Sequence, residues 1–207
     1  MKSIYLYDNN GWLCSLYEFS TIDELKKLIE KIKANIVIGE NVTIDDCTKI
    51  GTDVTIGSNV CIGKGTRIGN ETKIAEGTRI HSHVKICHDV TIESNVSIGF
   101  GSTIGLGSTI GLNSIIEKGV EIPAYTKIAP NEKIIIIGCF SGTRHSVFLY
   151  SNKYIKIGCQ LRTIADWQEN FELIGHQNDY SATEIAEYEG YINQCAQLSS
   201  VVMPETI

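Results

Sequence analysis

The densest run of chemically versatile side chains is His81-Ser82-His83-Val84-Lys85-Ile86-Cys87-His88-Asp89, which holds three of the chain's five histidines. An imidazole can move protons near neutral pH or bind a metal through a neutral ring nitrogen. Cys87 offers a thiol that could act as a nucleophile. Asp89 sets a carboxylate beside His88, although neighbours on a turn can point apart. The competing reading is that all three histidines are turn residues at a surface or an interface. A second group lies in Ser141-Gly142-Thr143-Arg144-His145-Ser146. Backbone donors, hydroxyls and the Arg144 guanidinium in one loop make an anion nest, or else an ordinary glycine turn between strands. No helix follows directly, so this is not a phosphate-binding loop of the Walker type.

What must position the first group is a strict period. Isoleucine recurs every six residues from Ile38 to Ile128 without a slip. Two residues before each isoleucine stands a small or β-branched residue, such as Val54 before Ile56 or Thr66 before Ile68. Residues two apart on a strand face the same way. Each unit is therefore a short strand with an inward pair and one outward residue between. Three turn residues follow, as in Gly57-Ser58-Asn59, and the last is often Gly, Asn or Asp, which tolerate positive φ. A short strict period means a solenoid.

The run closely resembles the hexapeptide repeat of left-handed β-helix proteins. The resemblance implies a left-handed coil of three hexads, so that side chains eighteen apart stack. One face then carries Lys49, Arg67, Lys85, Thr103 and Glu121 as outward midpoints. The second carries Thr55, Lys73, Thr91, Thr109 and Lys127, and the third Thr43, Cys61, Arg79, Ser97 and Ile115. The first face is a short basic ladder: a solvated surface, or a seat for a phosphate-bearing ligand. His81 and His83 occupy the corner before that face and His88 the corner after it. His88-Asp89 resembles the His-Asp turn of hexapeptide acyltransferases, including the lipid A acyltransferase and the sugar N-acetyltransferases. That resemblance implies His88 as general base, with Asp89 the matching carboxylate, and an acyl-CoA or acyl-carrier thioester as co-substrate. It also implies a homotrimer of parallel prisms with sites between subunits, where the histidines could alternatively meet a metal. Apolar corners at Phe100, Leu106 and Leu112 suit packing against a neighbouring subunit or the chain's own tail.

The flanks differ in style. Ser3–Tyr7 and Trp12–Phe19 read as a hairpin around Asp8-Asn9-Asn10-Gly11. Ser20 or Thr21 can cap a helix with Ile22, Leu25, Ile29 and Ile32 on one face. This hairpin–helix is too small to hold a core alone and should cap the first coil. Pro123 and Pro130 are expected to end the regular run. Beyond them, residues 133–139, 146–150 and 154–159 read as strands. A helix is capped by Thr163, and another opens with the Ser181/Glu184 capping box and carries Ile185, Tyr188, Ile192 and Cys195 on one stripe. Gly142-Thr143-Arg144-His145-Ser146, a strand, Gly158-Cys159 and the helix pair resemble the tail of phage-borne and prophage-borne proteins.

The 207 residues carry a net charge of −6, and no basic block exceeds a lysine pair, which gives no hint of nucleic acid. Seven scattered cysteines without a CxxC read as reduced thiols in a cytoplasm. No signal peptide opens the chain, and Ile134–Ile137 is too short to span a bilayer. The expected architecture is a mainly β chain: a cap over 1–34, a left-handed parallel β-helix over 35–131 and a small α+β domain over 132–207. The leading functional expectation is acyl transfer from a thioester to a sugar or nucleotide-sugar. His88 and Asp89 would be catalytic, and Lys49, Arg67, Lys85, His81, His83 and Arg144 would hold substrate or phosphate. The rival is a non-catalytic trimer that sequesters a small nucleotide, for instance a phage-encoded protein directed at a host defence signal.

Overall fold

The computed structural model describes residues 1–7 and 14–202, in two compact units, Met1–Ile134 and Ile135–Ile207. The predicted hairpin turn at Asp8–Gly11, and Trp12 beside it, lie outside the described residues.

The first unit is the expected parallel β-helix. Its three sheets stack strands eighteen residues apart: Lys49↔Arg67 and Arg67↔Lys85 on the first, Thr55↔Lys73 on the second, Cys61↔Arg79 on the third. The isoleucine stack from Ile44 to Ile134 is at most 3% exposed. Each such side chain contributes roughly 1.5–3 kcal/mol relative to exposure. The Thr and Ser of the inward pair are buried too, and their hydroxyls bond across the coil. Thr66 donates to the His81 carbonyl at 3.0 Å, Ser102 to that of Glu117 at 2.8 Å and Ser114 to that of Ala129 at 3.0 Å. A polar atom in the core is thus partnered, as burial requires.

Corners close through a left-handed residue at every sixth position, from Asn41 (φ 54°) to Asn131 (φ 64°). Several are not the types that adopt this conformation readily, among them Glu71 and Tyr125. Neighbouring coils over-determine them: the Glu71 N–H donates to Thr52 O at 2.9 Å and that of Tyr125 to Leu106 O at 2.7 Å. One corner adds an amide column, with Asn95 donating to Asn113 at 3.3 Å and Asn113 to Asn131 at 3.0 Å.

The cap does more than cover an end. Lys2–Tyr7 adds to the first sheet parallel to Thr48–Ile50, with Tyr5 opposite Lys49, and pairs antiparallel with Cys14–Phe19 on its other side. Helix α1 (Ile22–Lys31) starts at a complete Thr21/Glu24 capping box and buries Leu25 and Ile29. Asp46 accepts from the backbone and hydroxyl of Ser3. Those bonds hold its carboxyl well below the usual range.

The regular run does not stop at the prolines. Lys133–Ile134 pairs with Ile115–Ile116 as one more strand of the third sheet. The single strand expected at 133–139 is therefore two, the second being Ile136–Ser141. Pro123 sits at the corner position where Gly105 donates to Ile122 O. In the last coil that donor has no following coil to serve, so proline's missing N–H costs nothing there.

The second unit is a four-stranded antiparallel sheet with two helices. Ile136–Ser141, Ser146–Tyr150, Tyr154–Ile157 and Gln160–Thr163 pair in sequence order. The fourth strand was not expected. Helices α2 (Ile164–Gln177, capped by Thr163) and α3 (Ala182–Val202) complete it. Ser181 and Glu184 form the expected box, Ser181 N–H to Glu184 at 2.7 Å and Glu184 N–H to Ser181 at 3.3 Å. Tyr188, Ile192 and Cys195 of the predicted stripe are buried against Val147, Leu149, Ile155 and Trp167, and Ile185 is buried as well. No helix of the described residues is long and apolar enough to cross a membrane.

Candidate functional site

The first face of the β-helix brings Lys49, Arg67 and Lys85 into one column on adjacent strands, which lie about 4.8 Å apart. Arg67 and Lys85 are exposed and Lys49 is half-buried. The Lys49 ammonium lies 4.8 Å from the Tyr5 ring centroid. Among the described residues no carboxylate forms an ion pair with any of the three. Like charges directly across neighbouring strands repel. An uncompensated column of three cations is therefore a place where a bound anion lowers the energy. Tyr5 was missed from sequence, because the cap strand lies outside the hexads and its register could not be read from them.

The histidines divide between two corners, as the period implies. His83 sits at φ 58° with its ring edge-on to Phe100 at 5.4 Å. His81 is exposed and its carbonyl serves the Thr66 hydroxyl. Among the described residues no three His, Cys, Asp or Glu side chains are placed to share a metal ion.

His88 is exposed, and its Nδ1 accepts the backbone N–H of Asn70 at 2.9 Å. One coil below, Asn70 Oδ1 accepts the N–H of Thr52 at 3.1 Å. His88 is thus the upper rung of a column in which each corner side chain satisfies the N–H eighteen residues back. A backbone N–H can only donate, so the neutral ring carries its proton on Nε2. Its outward nitrogen is then a donor. A base working through Nε2 would need the proton on Nδ1 and the Asn70 bond broken. Asp89 is exposed at φ 55°, and no hydrogen bond joins it to His88. The column was readable in principle from the eighteen-residue spacing of Thr52, Asn70 and His88.

The anion nest of the tail has an occupant. The Thr143 N–H and hydroxyl both donate to the Glu187 carboxylate, at 2.9 and 2.6 Å, which lowers that group's pKa. Arg144 is turned away from the nest. Its guanidinium stacks 4.3 Å from the Tyr180 ring centroid and donates to Asn178 O at 3.3 Å and Asp179 O at 2.8 Å. The chain's own carboxylate thus takes the position expected for a ligand, and Arg144 braces the end of α2.

Phe100 (57% exposed), Leu106 (37%) and Leu112 (38%) form a ring of apolar tips on one coil. Each occupies a different corner of the prism, so they cannot all face one neighbour through a single edge.

Residues 35–70 and 71–106 match the family model of the bacterial transferase hexapeptide, six repeats each. No curated protein matches the chain in sequence. Among solved structures, the acetyltransferase domain of PglB from Neisseria gonorrhoeae is 12% identical, with 54% of this chain aligned to 60% of that one at a TM-score of 0.47. A point variant of perosamine N-acetyltransferase from Caulobacter crescentus, in complex with CoA and GDP-perosamine, is 16% identical over 67% of this chain and 65% of that one, at 0.49. A variant of AntD, an N-acyltransferase from Bacillus cereus in complex with dTDP and coenzyme A, is 17% identical over 76% and 98%, at 0.51. This chain spans less than two thirds of the first two. The segment 35–106, about a third of the chain, is therefore built of bacterial transferase hexapeptide repeats.

Proposed function

We propose that the chain binds a phosphate-bearing small molecule of the nucleotide class along Lys49, Arg67 and Lys85. A nucleotide, a nucleotide-linked sugar or an acyl-CoA would each bring suitable phosphates. The observation that carries this reading is the in-register column of three cations, none of which has a carboxylate partner among the described residues. A flat guanidinium at its centre suits bidentate contact with phosphate oxygens. AntD, on a related fold, is complexed with two phosphate-bearing molecules, dTDP and coenzyme A.

Acyl transfer from a thioester to a sugar or nucleotide-sugar is the second reading. It is favoured by the transferase repeats and by an exposed histidine on the corner bordering the ladder. In that reading His88 gives up its bond to Asn70, takes the acceptor's proton on Nε2 and donates from Nδ1. The hydrogen bond held by Nδ1 in this structure supports the binding reading over the catalytic one. The non-catalytic form would sequester a nucleotide in the cytoplasm, with no role for nucleic acid or membrane.

Calorimetric titration with acetyl-CoA and a nucleotide-sugar tests the seat. Arg67→Ala and Lys85→Ala should each weaken binding by about 10- to 100-fold, since a hydrogen bond to a charged group contributes about 1.5–3 kcal/mol. An affinity indifferent to both changes together would sink it. Acyl transfer from a panel of thioesters should show no dependence on His88 in the binding reading. A loss of about 10²–10⁴ in turnover in His88→Ala, with binding intact, would establish the catalytic one.

The transferase hexapeptide repeats favour a trimer in this reading, with one or two of the corners Phe100, Leu106 and Leu112 meeting neighbouring subunits. Light scattering should give about three times the chain mass by subunit arithmetic. A monomer at micromolar concentration would exclude it.

A further inference from the structure

The second unit contains a cavity of about 140 Å³ between α2, α3 and the strand turn at Gly158. Trp167, Phe171 and Ile185 line its apolar part, and His145, Cys159 and Gln160 stand among its polar lining. An apolar cavity of about 150 Å³ is enough to take up benzene. The space therefore matches one six-membered ring.

The surroundings are held in place. The Trp167 indole N–H donates to Ile155 O at 2.8 Å, so its polar edge is already satisfied. The Tyr188 hydroxyl accepts the N–H groups of Arg144 at 3.0 Å and His145 at 2.6 Å and donates to His145 O at 3.0 Å. These bonds fix the backbone that carries His145. Gly158, at φ 56°, allows the His145 ring to lie against it, 3.1 Å from where a Cβ would stand.

His145 and Gln160 keep donors for a ligand. The His145 imidazole makes no hydrogen bond among the described residues. Gln160 uses its oxygen to accept from Arg162 at 2.9 Å, which leaves its NH₂ available. A full negative charge is poorly matched, because Arg144 is already committed to two carbonyls and lies 3.9 Å from Glu184.

We propose that this cavity binds a neutral, planar six-membered ring with carbonyl oxygens on one edge, of the pyrimidine or aromatic-amide class. The ring sits among Trp167, Phe171 and Ile185, and the carbonyl edge meets His145 and Gln160. The site uses none of the residues of the basic ladder and stands independently of the function proposed for it.

Cys159 is exposed and lines the cavity, so it reports occupancy on the intact chain. Uracil and benzamide serve as probes, and cyclohexanecarboxamide as a non-planar control. Iodoacetamide labelling is followed residue by residue by mass spectrometry. The exposed Cys47 and Cys139 are internal standards. Cys195 is silent, because burial pushes its thiol up to about 11. At probe concentrations about ten times the Kd, labelling of Cys159 should slow about tenfold by mass action while the standards hold their rates. His145→Ala should shift the midpoint of protection about tenfold, the worth of one hydrogen bond to a neutral partner. Protection by neither probe at its solubility limit overturns the proposal. So does equal protection by the control, or a midpoint unmoved in both His145→Ala and Gln160→Ala.

Discussion

Ile29→Asp should lower the thermal midpoint of the full chain by about 10 °C. Ile29 is 5% exposed on the buried face of α1, beside the fully buried Leu25. A carboxylate there must either lose its water or be protonated to stay. Truncation of a buried Ile alone costs about 2–5 kcal/mol, and an unpaired buried charge adds to that. For a chain of this size each kcal/mol moves the midpoint by about 2–4 °C. The effect reaches beyond the helix because the Lys2–Tyr7 strand continues the first sheet and covers Thr48–Ile50. An undocked cap re-exposes those strand atoms. An unchanged melting curve for Ile29→Asp would mean that the helix contributes nothing to holding the cap.

Tyr188→Phe should destabilise the second unit by about 1–3 kcal/mol, because three partly buried polar groups on an exposed turn lose their partner and regain water only in part. The ring is 4% exposed, and its hydroxyl alone serves two N–H groups and one carbonyl of the Arg144–His145 turn. Phenylalanine keeps the ring and its contacts with Tyr180 and Tyr191, so the loss isolates the hydrogen bonds. Urea unfolding of wild type and variant measures it. Equal midpoints would show that water replaces the hydroxyl at all three groups.

The β-helix was legible because one residue type at one interval decides burial, face and stack together. Ile86 could be placed beside Ile68 and Ile104 without any knowledge of the rest. The left-handed corners followed from Asn59, Asn95 and Gly65, though not from Glu71 or Tyr125, where the ladder overrides the residue's own preference. The Thr163 and Ser181 caps were readable for a similar reason: capping is local chemistry. What escaped depended on contacts across many residues. Glu187 reaches Thr143 from 44 positions away, so the nest looked vacant in sequence. Gln160–Thr163 was missed because the strand is half-buried throughout and shows no alternation. The role of His88 was ambiguous for a different reason. Its type suits proton transfer, and only the Asn70 N–H at 2.9 Å shows which nitrogen is engaged.

The left-handed corners that recur every sixth residue also restrict how this gene can change in length. Inserting or deleting one hexad keeps every corner in phase, so the core still closes. It nevertheless moves each later strand to the next side of the triangle. Lys85 would leave the line of Arg67 and join the side now held by Lys73 or Arg79. Only a gain or loss of eighteen residues leaves both the core and the charged column in frame. Descendants of this chain can therefore grow taller or shorter by whole storeys while keeping the basic column straight. Any smaller in-phase step would preserve the building and rearrange its façade.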